Sequence, residues 1–218
     1  MILTDTHTHL YSKQFDDDRD EMMNRAFEAG VKRFFIPAID SGYSEAMYSL
    51  EKKYPENVFL MMGLHPTSVK ENYLDELEFV EKQFEGRNFF AVGEIGIDLY
   101  WDKSTLSIQQ DAFRRQIKLA KSKNLPIVIH CRDAFDEIFE QAQQALSYNM
   151  KLGIGGVVTF KNGKIDTFLN QIPIENIVLE TDAPYLAPAP YRGKRNESSY
   201  LKLVNEKVAQ IYKINPEE

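Results

Sequence analysis

Six residues that can bind metals or transfer protons stand at or near the carboxyl ends of short apolar segments. They are His7, His9, His65, Glu94, His130 and Asp182. Neutral imidazole and carboxylate groups are ligands that Zn²⁺, Mn²⁺ and similar divalent cations take from proteins. We therefore predict a metal site built from His7, His9, Glu94, His130 and Asp182.

His7 and His9 are two residues apart in an apolar segment that is typical of a strand. Successive side chains of a strand point to opposite faces, so both imidazoles lie on one face and can converge on one cation. Asp5 has the same parity and could orient a ligand from behind. The alternative is that these are two surface histidines at a strand end.

Glu94 and Asp182 are carboxylates in apolar strands, where an ionised group is costly without a partner. Glu94 stands between Gly93 and Gly96, and glycines at such positions let a ligand or another backbone approach closely. Asp182 could bind a metal and accept a proton from the attacking water. We predict both as catalytic residues. The alternatives are a turn cap for Asp182 and a satisfied core position for His130.

Five residues are predicted to contact substrate. His65, followed by a proline, could reach substrate or a metal-bound water, or it could only shape the loop. Arg132 could hold a phosphate by bidentate hydrogen bonds, or it could pair with a neighbouring acid. Arg192, Lys194 and Arg195 form a basic cluster that suits a phosphorylated substrate.

Short apolar runs alternate with polar stretches along the chain, which predicts an α/β fold with a parallel sheet. The runs cover residues 2–10, 31–39, 58–64, 89–95, 126–130, 151–160 and 177–181. Because chemically active residues end many of them, we predict a closed TIM (β/α)8 barrel, which gathers strand ends at one mouth, and not an open doubly wound sheet. We expect a single domain over residues 1–218. Only seven runs are found, so one βα unit is absent.

Helix signals separate the strands over residues 16–29, 105–123 and 197–212. The first stretch ends at Gly30, which suits a helix carboxyl cap. In the second, Ile108, Ala112 and Ile117 are predicted to form the buried face, and Asn124 ends the helix.

Composition limits the classes of function. The formal net charge of −7 means that nucleic acid can be recognised only locally, through a basic cluster or bound cations. The single cysteine, Cys131, excludes an intrachain disulfide framework. No apolar run is long enough for a membrane helix, and no secretory leader is evident. We expect a cytoplasmic protein without a membrane partner.

The chain resembles the TatD family of metal-dependent deoxyribonucleases, which are amidohydrolase-like TIM barrels. The resemblance runs through five motifs and the basic cluster: Asp5-Thr6-His7-Thr8-His9, Gly63-Leu64-His65-Pro66, Gly93-Glu94-Ile95-Gly96-Ile97-Asp98, His130-Cys131-Arg132-Asp133-Ala134, Glu180-Thr181-Asp182-Ala183-Pro184 and 192–197. It implies two divalent metal ions, Mg²⁺, Mn²⁺ or Zn²⁺. It also implies that the metal-bound water hydrolyses DNA, often from the 3′ end.

In this resemblance, the residues matching His7, His9 and Asp182 bind one metal, the glutamate matching Glu94 bridges to a second, and the histidine matching His130 binds the second. Three readings stay open: a nuclease, a barrel amidohydrolase or phosphotriesterase acting on a small molecule, and a non-catalytic incomplete barrel.

One family histidine, a further ligand of the second metal, has no counterpart here. We predict that about 20 residues, roughly one strand and parts of two helices, are missing at a join near Glu140 and Gln141. A continuous helix across that join would instead indicate a real deletion and favour the non-catalytic reading.

Overall fold

The structure is a computed structural model that describes residues 1–134, 151–161, 165 and 169–217. Within these ranges the strands are β1 Leu3–Asp5, β2 Val31–Pro37, β3 Val58–Met61, β4 Val92–Asp98, β5 Ile127–Arg132, β6 Leu152–Ile154 and β7 Ile177–Leu179. The α-helices are α1 Arg19–Glu28, α2 Ser44–Lys53, α3 Tyr73–Gly86, α4 Leu106–Lys123 and α5 Leu201–Tyr212. All seven predicted strands are present. The first and sixth are shorter than expected. β1 ends at Asp5, so the prediction that His7 and His9 lie on a strand is wrong and both lie just beyond it, and the short 3-10 helix Gly156–Thr159 follows β6.

The chain divides into two compact units. The first consists of Met1–Ile36, Tyr54–Val58 and Asn149–Glu218, and the second of Pro37–Lys53 and Phe59–Tyr148. That the whole chain forms one domain stays a prediction. The predicted join near Glu140 and Gln141 lies outside the described residues.

In the first unit the neighbouring strands run parallel, β1 beside β2 and β6 beside β7. The end of β1 also lies beside the end of β7. The backbone N–H of Thr6 donates to the carbonyl oxygen of Leu179 at 3.1 Å, and that of Asp182 donates to His7 at 3.0 Å. The last strand of the chain is thus a neighbour of the first, as in closed barrels.

Two helices end where the sequence predicts. α1 is followed by Gly30 with φ +91°, and α4 is capped by Asn124 with φ 53°. Both residue types adopt this left-handed conformation more readily than others.

The predicted buried face of α4 is partly wrong. Ile108 and Ile117 are only half-buried. The buried positions are Gln109, Ala112, Phe113, Gln116 and Ala120. The two glutamines are buried because the strand ends of the second unit need hydrogen-bond partners, as described below.

Glycines bring β4 close to β5 in the second unit, where the two strands pair in parallel. A Cβ added at Gly93 would lie 2.7 Å from the Cβ of Val128. At Gly96, whose φ is +144°, an added Cβ would overlap the carbonyl oxygen of His130. The structure thus confirms the predicted close backbone approach beside Glu94.

Gly96→Ala is expected to lower the free energy of unfolding by roughly 2 kcal/mol or more, because the methyl group meets backbone and the φ angle suits only glycine. Gly86→Ala is the matched control. It lies in the last turn of α3 with nothing within 4 Å of its added Cβ, so it should be neutral or stabilise by about 0.5–1 kcal/mol. Urea unfolding of both variants checks this, and equal stability of the two would contradict it.

Candidate metal centre

In the first unit, His7, His9 and Asp182 come together beyond the ends of β1 and β7. The Nε2 atoms of the two histidines are 3.3 Å apart. Oδ1 of Asp182 lies 3.8 Å from Nε2 of His7 and 3.6 Å from Nε2 of His9. The two imidazoles are buried, whereas the Asp182 side chain is 32% exposed. Two imidazole nitrogens and one accessible carboxylate oxygen therefore face one small space.

Asp5 holds the two chain segments that carry this group. Its buried carboxylate accepts hydrogen bonds from the Thr181 backbone N–H at 3.0 Å, the Thr181 hydroxyl at 2.7 Å and the Ser198 hydroxyl at 2.6 Å. Burial raises the pKa of Asp5 to about 6, and these hydrogen bonds only partly oppose that effect. Asp5 fixes the backbone around Asp182, and the backbone N–H of His7 also donates to it.

The orientation of His9 is set by a residue that sequence reasoning missed. Its Nδ1 atom lies 2.8 Å from the Tyr11 hydroxyl, so its Nε2 atom faces His7 and Asp182. Tyr11 lies in a turn beyond the end of β1, so strand alternation gives no signal for it, and only its position two residues after His9 points to it. A histidine held at one nitrogen and open at the other is the usual arrangement of a metal ligand.

The second unit brings together His65, Glu94 and His130. One ligand atom from each lies within 4.8 Å of the other two. Nδ1 of His130 is 3.1 Å from Oε1 of Glu94 and 3.2 Å from Nε2 of His65. Glu94 is buried in β4, as its apolar surroundings in the sequence predict.

Asp98 fixes which nitrogen of His130 faces this group. Oδ2 of Asp98 lies 2.8 Å from Nε2 of His130 and accepts its N–H, which leaves the Nδ1 lone pair directed at Glu94. Burial lowers the pKa of His130, but the hydrogen bonds and charges of Glu94 and Asp98 outweigh it and raise the pKa overall. A carboxylate behind a histidine in this way is typical of metal centres.

His65 has the opposite arrangement. The backbone N–H of Thr67 donates to Nδ1 of His65 at 3.2 Å, so the neutral imidazole carries its proton on Nε2. That N–H points toward Nδ1 of His130 and lies 3.6 Å from Oε2 of Glu94. A protonated nitrogen has no lone pair for a metal. With this tautomer His65 is a hydrogen-bond donor at the site, although its ring also lies among the groups that could hold a metal ion.

Two buried glutamines of α4 hold the strand ends that carry these residues. Gln116 accepts from the backbone N–H of Leu64 at 2.7 Å and donates to its carbonyl oxygen at 3.2 Å. Gln109 bonds Asp98 in the same manner, at 2.8 and 2.9 Å. Each glutamine amide bonds both backbone groups of one residue, Leu64 or Asp98. The bonds therefore fix the backbone at Asp98 and immediately before His65.

The predicted substrate contacts differ in their surroundings. Arg195 is engaged by Asp18 through two hydrogen bonds of 2.6 and 2.7 Å, so a phosphate would have to compete with this ion pair. Arg192 and Lys194 are exposed, and the guanidinium of Arg192 lies 4.0 Å from the centre of the Phe160 ring. Their roles, and those of the metal ligands, stay predictions.

Arg132, the remaining predicted contact, is exposed and lies over the ring of Tyr100. Within the part of the chain that the structure describes it has no carboxylate partner. Glu137, one of the acids that could pair with it, lies outside the described residues.

Comparison with known proteins agrees with this chemistry. The profile of a family described as TatD related DNase matches residues 4–144 and 135–218. The protein named uncharacterized metal-dependent hydrolase YabD of Bacillus subtilis is 34% identical, over all of this chain and 94% of its own length. The 3′-5′ ssDNA/RNA exonuclease TatD of Escherichia fergusonii is 29% identical over 94% of this chain and 90% of its own length.

The crystal structure of YjjV, a TatD homologue from Escherichia coli K12, superposes with a TM-score of 0.90 at 26% identity, covering 99% of this chain and 92% of that one. The TatD homologues are TIM barrels, so the predicted fold class is confirmed. No helix in the described ranges has the length and apolar character needed to cross a membrane. The cytoplasmic location stays a prediction.

The comparison also bears on the missing unit. The two matched stretches of the family profile overlap at residues 135–144, where the sequence predicts the join. The alignment with YabD extends over 240 positions, whereas this chain has 218 residues, so at least 22 positions of it have no residue here.

Asp18→Asn tests the assignment of Arg195 to an ion pair. The hydrogen bond from Arg195 lowers the pKa of Asp18 to about 2 from 3.8, with help from Arg25 and against the effect of burial. A lowered pKa stabilises the fold above pH 3.8 and this stabilisation is lost as the pH falls through 2. The variant should lose about 1 kcal/mol at neutral pH, after allowing for solvent screening.

By pH 3 that difference should shrink to roughly half, because the unfolded carboxylate is then protonated and the folded one is not. Asp16→Asn, which removes the exposed pair with Arg19, is the control and should change stability by less than about 0.5 kcal/mol. Urea unfolding between pH 7 and pH 3 measures both. A constant Asp18 effect down to pH 3 would count against the ion pair.

Proposed function

Because this chain belongs to the TatD-related DNase family of metal-dependent hydrolases, we propose that it hydrolyses phosphodiester bonds of DNA, from the 3′ ends of single strands. The observation that carries the proposal is that imidazoles and carboxylates lie together beside the strand ends. They are His7, His9 and Asp182 in the first unit and Glu94 and His130 in the second. The name of the Escherichia fergusonii relative, a 3′-5′ ssDNA/RNA exonuclease, supports the substrate. The charge of two exposed basic residues, Arg192 and Lys194, supports it too.

The donor atoms fit divalent cations. His9 and His130 are each held at one ring nitrogen, by Tyr11 and Asp98, and direct the other at a carboxylate. We propose His7, His9 and Asp182 in one unit, and Glu94 and His130 in the other, as the metal ligands. When bound, divalent cations acidify water and neutralise charge on the phosphoryl oxygens.

The proposed proton acceptor is Asp182. Its Oδ1 atom lies beside two imidazole nitrogens, and its partial exposure leaves room for water and substrate. Its backbone is held in the left-handed region, with φ 55°, and its N–H donates to His7. The carboxylate therefore points in a direction that the backbone fixes, which suits a group that must receive a proton at one place.

His65 and the basic pair serve the substrate in this proposal. The Nε2–H of His65 can donate to a phosphate oxygen beside Glu94, because its other nitrogen already accepts a hydrogen bond from Thr67. Arg192 and Lys194 supply local positive charge, which a chain with a net charge of −7 needs in order to bind a polyanion.

A hydrolase of amides or phosphotriesters could use the same metal ligands. Uncharged small substrates would gain nothing from Arg192 and Lys194, so the basic pair favours a phosphodiester. The assays below test the substrate class and the preference for one end of the strand.

Asp182→Asn should keep the fold and reduce hydrolysis of end-labelled single-stranded DNA at least about 100-fold, because it removes the proton acceptor and a metal ligand. Asparagine tolerates the left-handed backbone of this position. The assay measures product release with Mg²⁺, Mn²⁺ or Zn²⁺ and with EDTA, and far-ultraviolet circular dichroism checks the fold. Asp16→Asn, an exposed acid paired with Arg19, is the matched control.

Wild-type turnover by Asp182→Asn would exclude Asp182 from the mechanism. Cleavage of carboxamides or phosphotriesters without cleavage of DNA would instead identify another hydrolase. Turnover of none of these substrates would favour the non-catalytic reading.

Changing Arg192 and Lys194 together to glutamine should raise KM for DNA and leave kcat nearly unchanged. The slope of log KM against log salt concentration should fall by about 1.4, since each contact to a single strand contributes about 0.7. The control is Lys52→Gln with Lys53→Gln, which removes two exposed charges at the end of α2. An unchanged slope in the first variant would rule out phosphate contacts by this pair.

A further inference from the structure

We infer that Tyr100, Trp101 and Arg132 form a stacking platform for a nucleobase of the single-stranded substrate, beside the group formed by Glu94 and His130. This inference rests on the proposed function and adds to it a site that recognises the base. Metal ligands act on the phosphate, which every nucleotide shares, and say nothing about the rest of the substrate.

The first observation is a pair of exposed aromatic rings. Trp101 is 73% exposed and Tyr100 is 52% exposed. Their ring centroids are 4.8 Å apart and the planes meet at 89°. Large aromatic side chains usually lose most of their surface to the core on folding. Here the structure instead leaves most of the Trp101 side chain and about half of the Tyr100 side chain in water, where a flat ligand can reach them.

The second observation is the cation beside them. The guanidinium of Arg132 lies 3.7 Å from the centre of the Tyr100 ring and 5.6 Å from that of Trp101. It is exposed and has no carboxylate partner among the described residues. One face of the guanidinium is thus used on Tyr100, while its N–H edge stays available for an anion.

The third observation is the connection to the catalytic group. Oδ1 of Asp98 accepts the backbone N–H of Tyr100 at 3.0 Å, while Oδ2 accepts the N–H of His130. The backbone N–H of Leu99 also donates to the carbonyl oxygen of Arg132 at 2.9 Å. Two residues of chain span at most about 7 Å, so the platform starts within about one nucleotide of the carboxylate that orients His130.

These features together match a single-stranded nucleotide. A nucleobase offers a flat face to an aromatic ring, and its phosphate offers oxygens to a guanidinium. In a duplex the base faces are covered by their neighbours, so stacking of this kind selects unpaired strands. The aromatic rings would hold the base while Arg132 receives a phosphate of the same strand.

Trp101 is the one tryptophan of the chain, so its fluorescence reports on the platform directly. We expect saturable quenching when a short oligothymidylate is added to the intact protein in EDTA, where hydrolysis is blocked. An oligomer of equal length built from abasic residues should bind about 5- to 100-fold more weakly, which is the effect of one stacked base.

Variants test the same site through hydrolysis in the presence of Mg²⁺. Trp101→Ala and Arg132→Ala should each raise KM for the oligothymidylate by about 5- to 100-fold and change kcat little. Phe90→Ala is the matched control and should leave both constants unchanged. Phe90 is as exposed as Tyr100, at 52%, but lies before the start of β4 and not beyond its end.

The measurements separate a failure of the stacking platform from a failure of the proposed nuclease activity. Cleavage of DNA without quenching, or with an unchanged KM in Trp101→Ala, would contradict the stacking platform. It would leave the proposed nuclease activity standing. Quenching by the oligothymidylate and not by the abasic oligomer, without cleavage by the wild-type protein, would support the platform and overturn the nuclease. Equal quenching by both oligomers would overturn base stacking.

Discussion

The arrangement of the second unit depends on the cost of burying one carboxylate. Asp98 is 3% exposed, and an ionised carboxylate so placed is tolerated only when its oxygens are hydrogen-bonded. One oxygen takes the N–H of His130 and the other takes the backbone N–H of Tyr100. The first bond decides which imidazole nitrogen keeps a lone pair, and the second fixes the chain that carries the aromatic rings. A single requirement of solvation thus sets both the orientation of the His130 imidazole and the surface next to it.

In the first unit Asp5 is also a buried carboxylate that needs hydrogen-bond donors, but its donors are different. It accepts hydrogen bonds from Thr181, Ser198 and the backbone of His7, so it holds together the chain segments that carry His7 and Asp182. Burial raises the pKa of Asp5 despite its hydrogen bonds, whereas Asp98 bonds directly to an imidazole. The two buried acids therefore differ in role: Asp5 fixes the backbone, and Asp98 fixes the orientation of His130.

The sequence predicts best the features that depend on the burial of many apolar residues together, such as the strands. Apolar runs predicted all seven strands, and polar residues at their ends included the six side chains that lie together, three in each unit. It predicts poorly what depends on a single contact. Buried glutamines such as Gln109 look like surface residues of an amphipathic helix, and their backbone partners come from distant strands. The proton position on His65 depends on Thr67, and a sequence pattern carries no information about it.

Charge illustrates the same limit and bears directly on nucleic-acid binding. A count of basic residues gives Arg192, Lys194 and Arg195 equal weight, yet Arg195 is already neutralised by Asp18, whose second partner, Arg25, is bound in turn by Glu197. The positive charge available to a polyanion is thus smaller than the sequence suggests, within a chain that is acidic overall. Binding by bulk attraction is therefore weak. The proposed binding of single-stranded DNA therefore depends on short-range contacts: cations held by imidazole and carboxylate groups, exposed basic side chains such as Arg192 and Lys194, and the exposed aromatic rings.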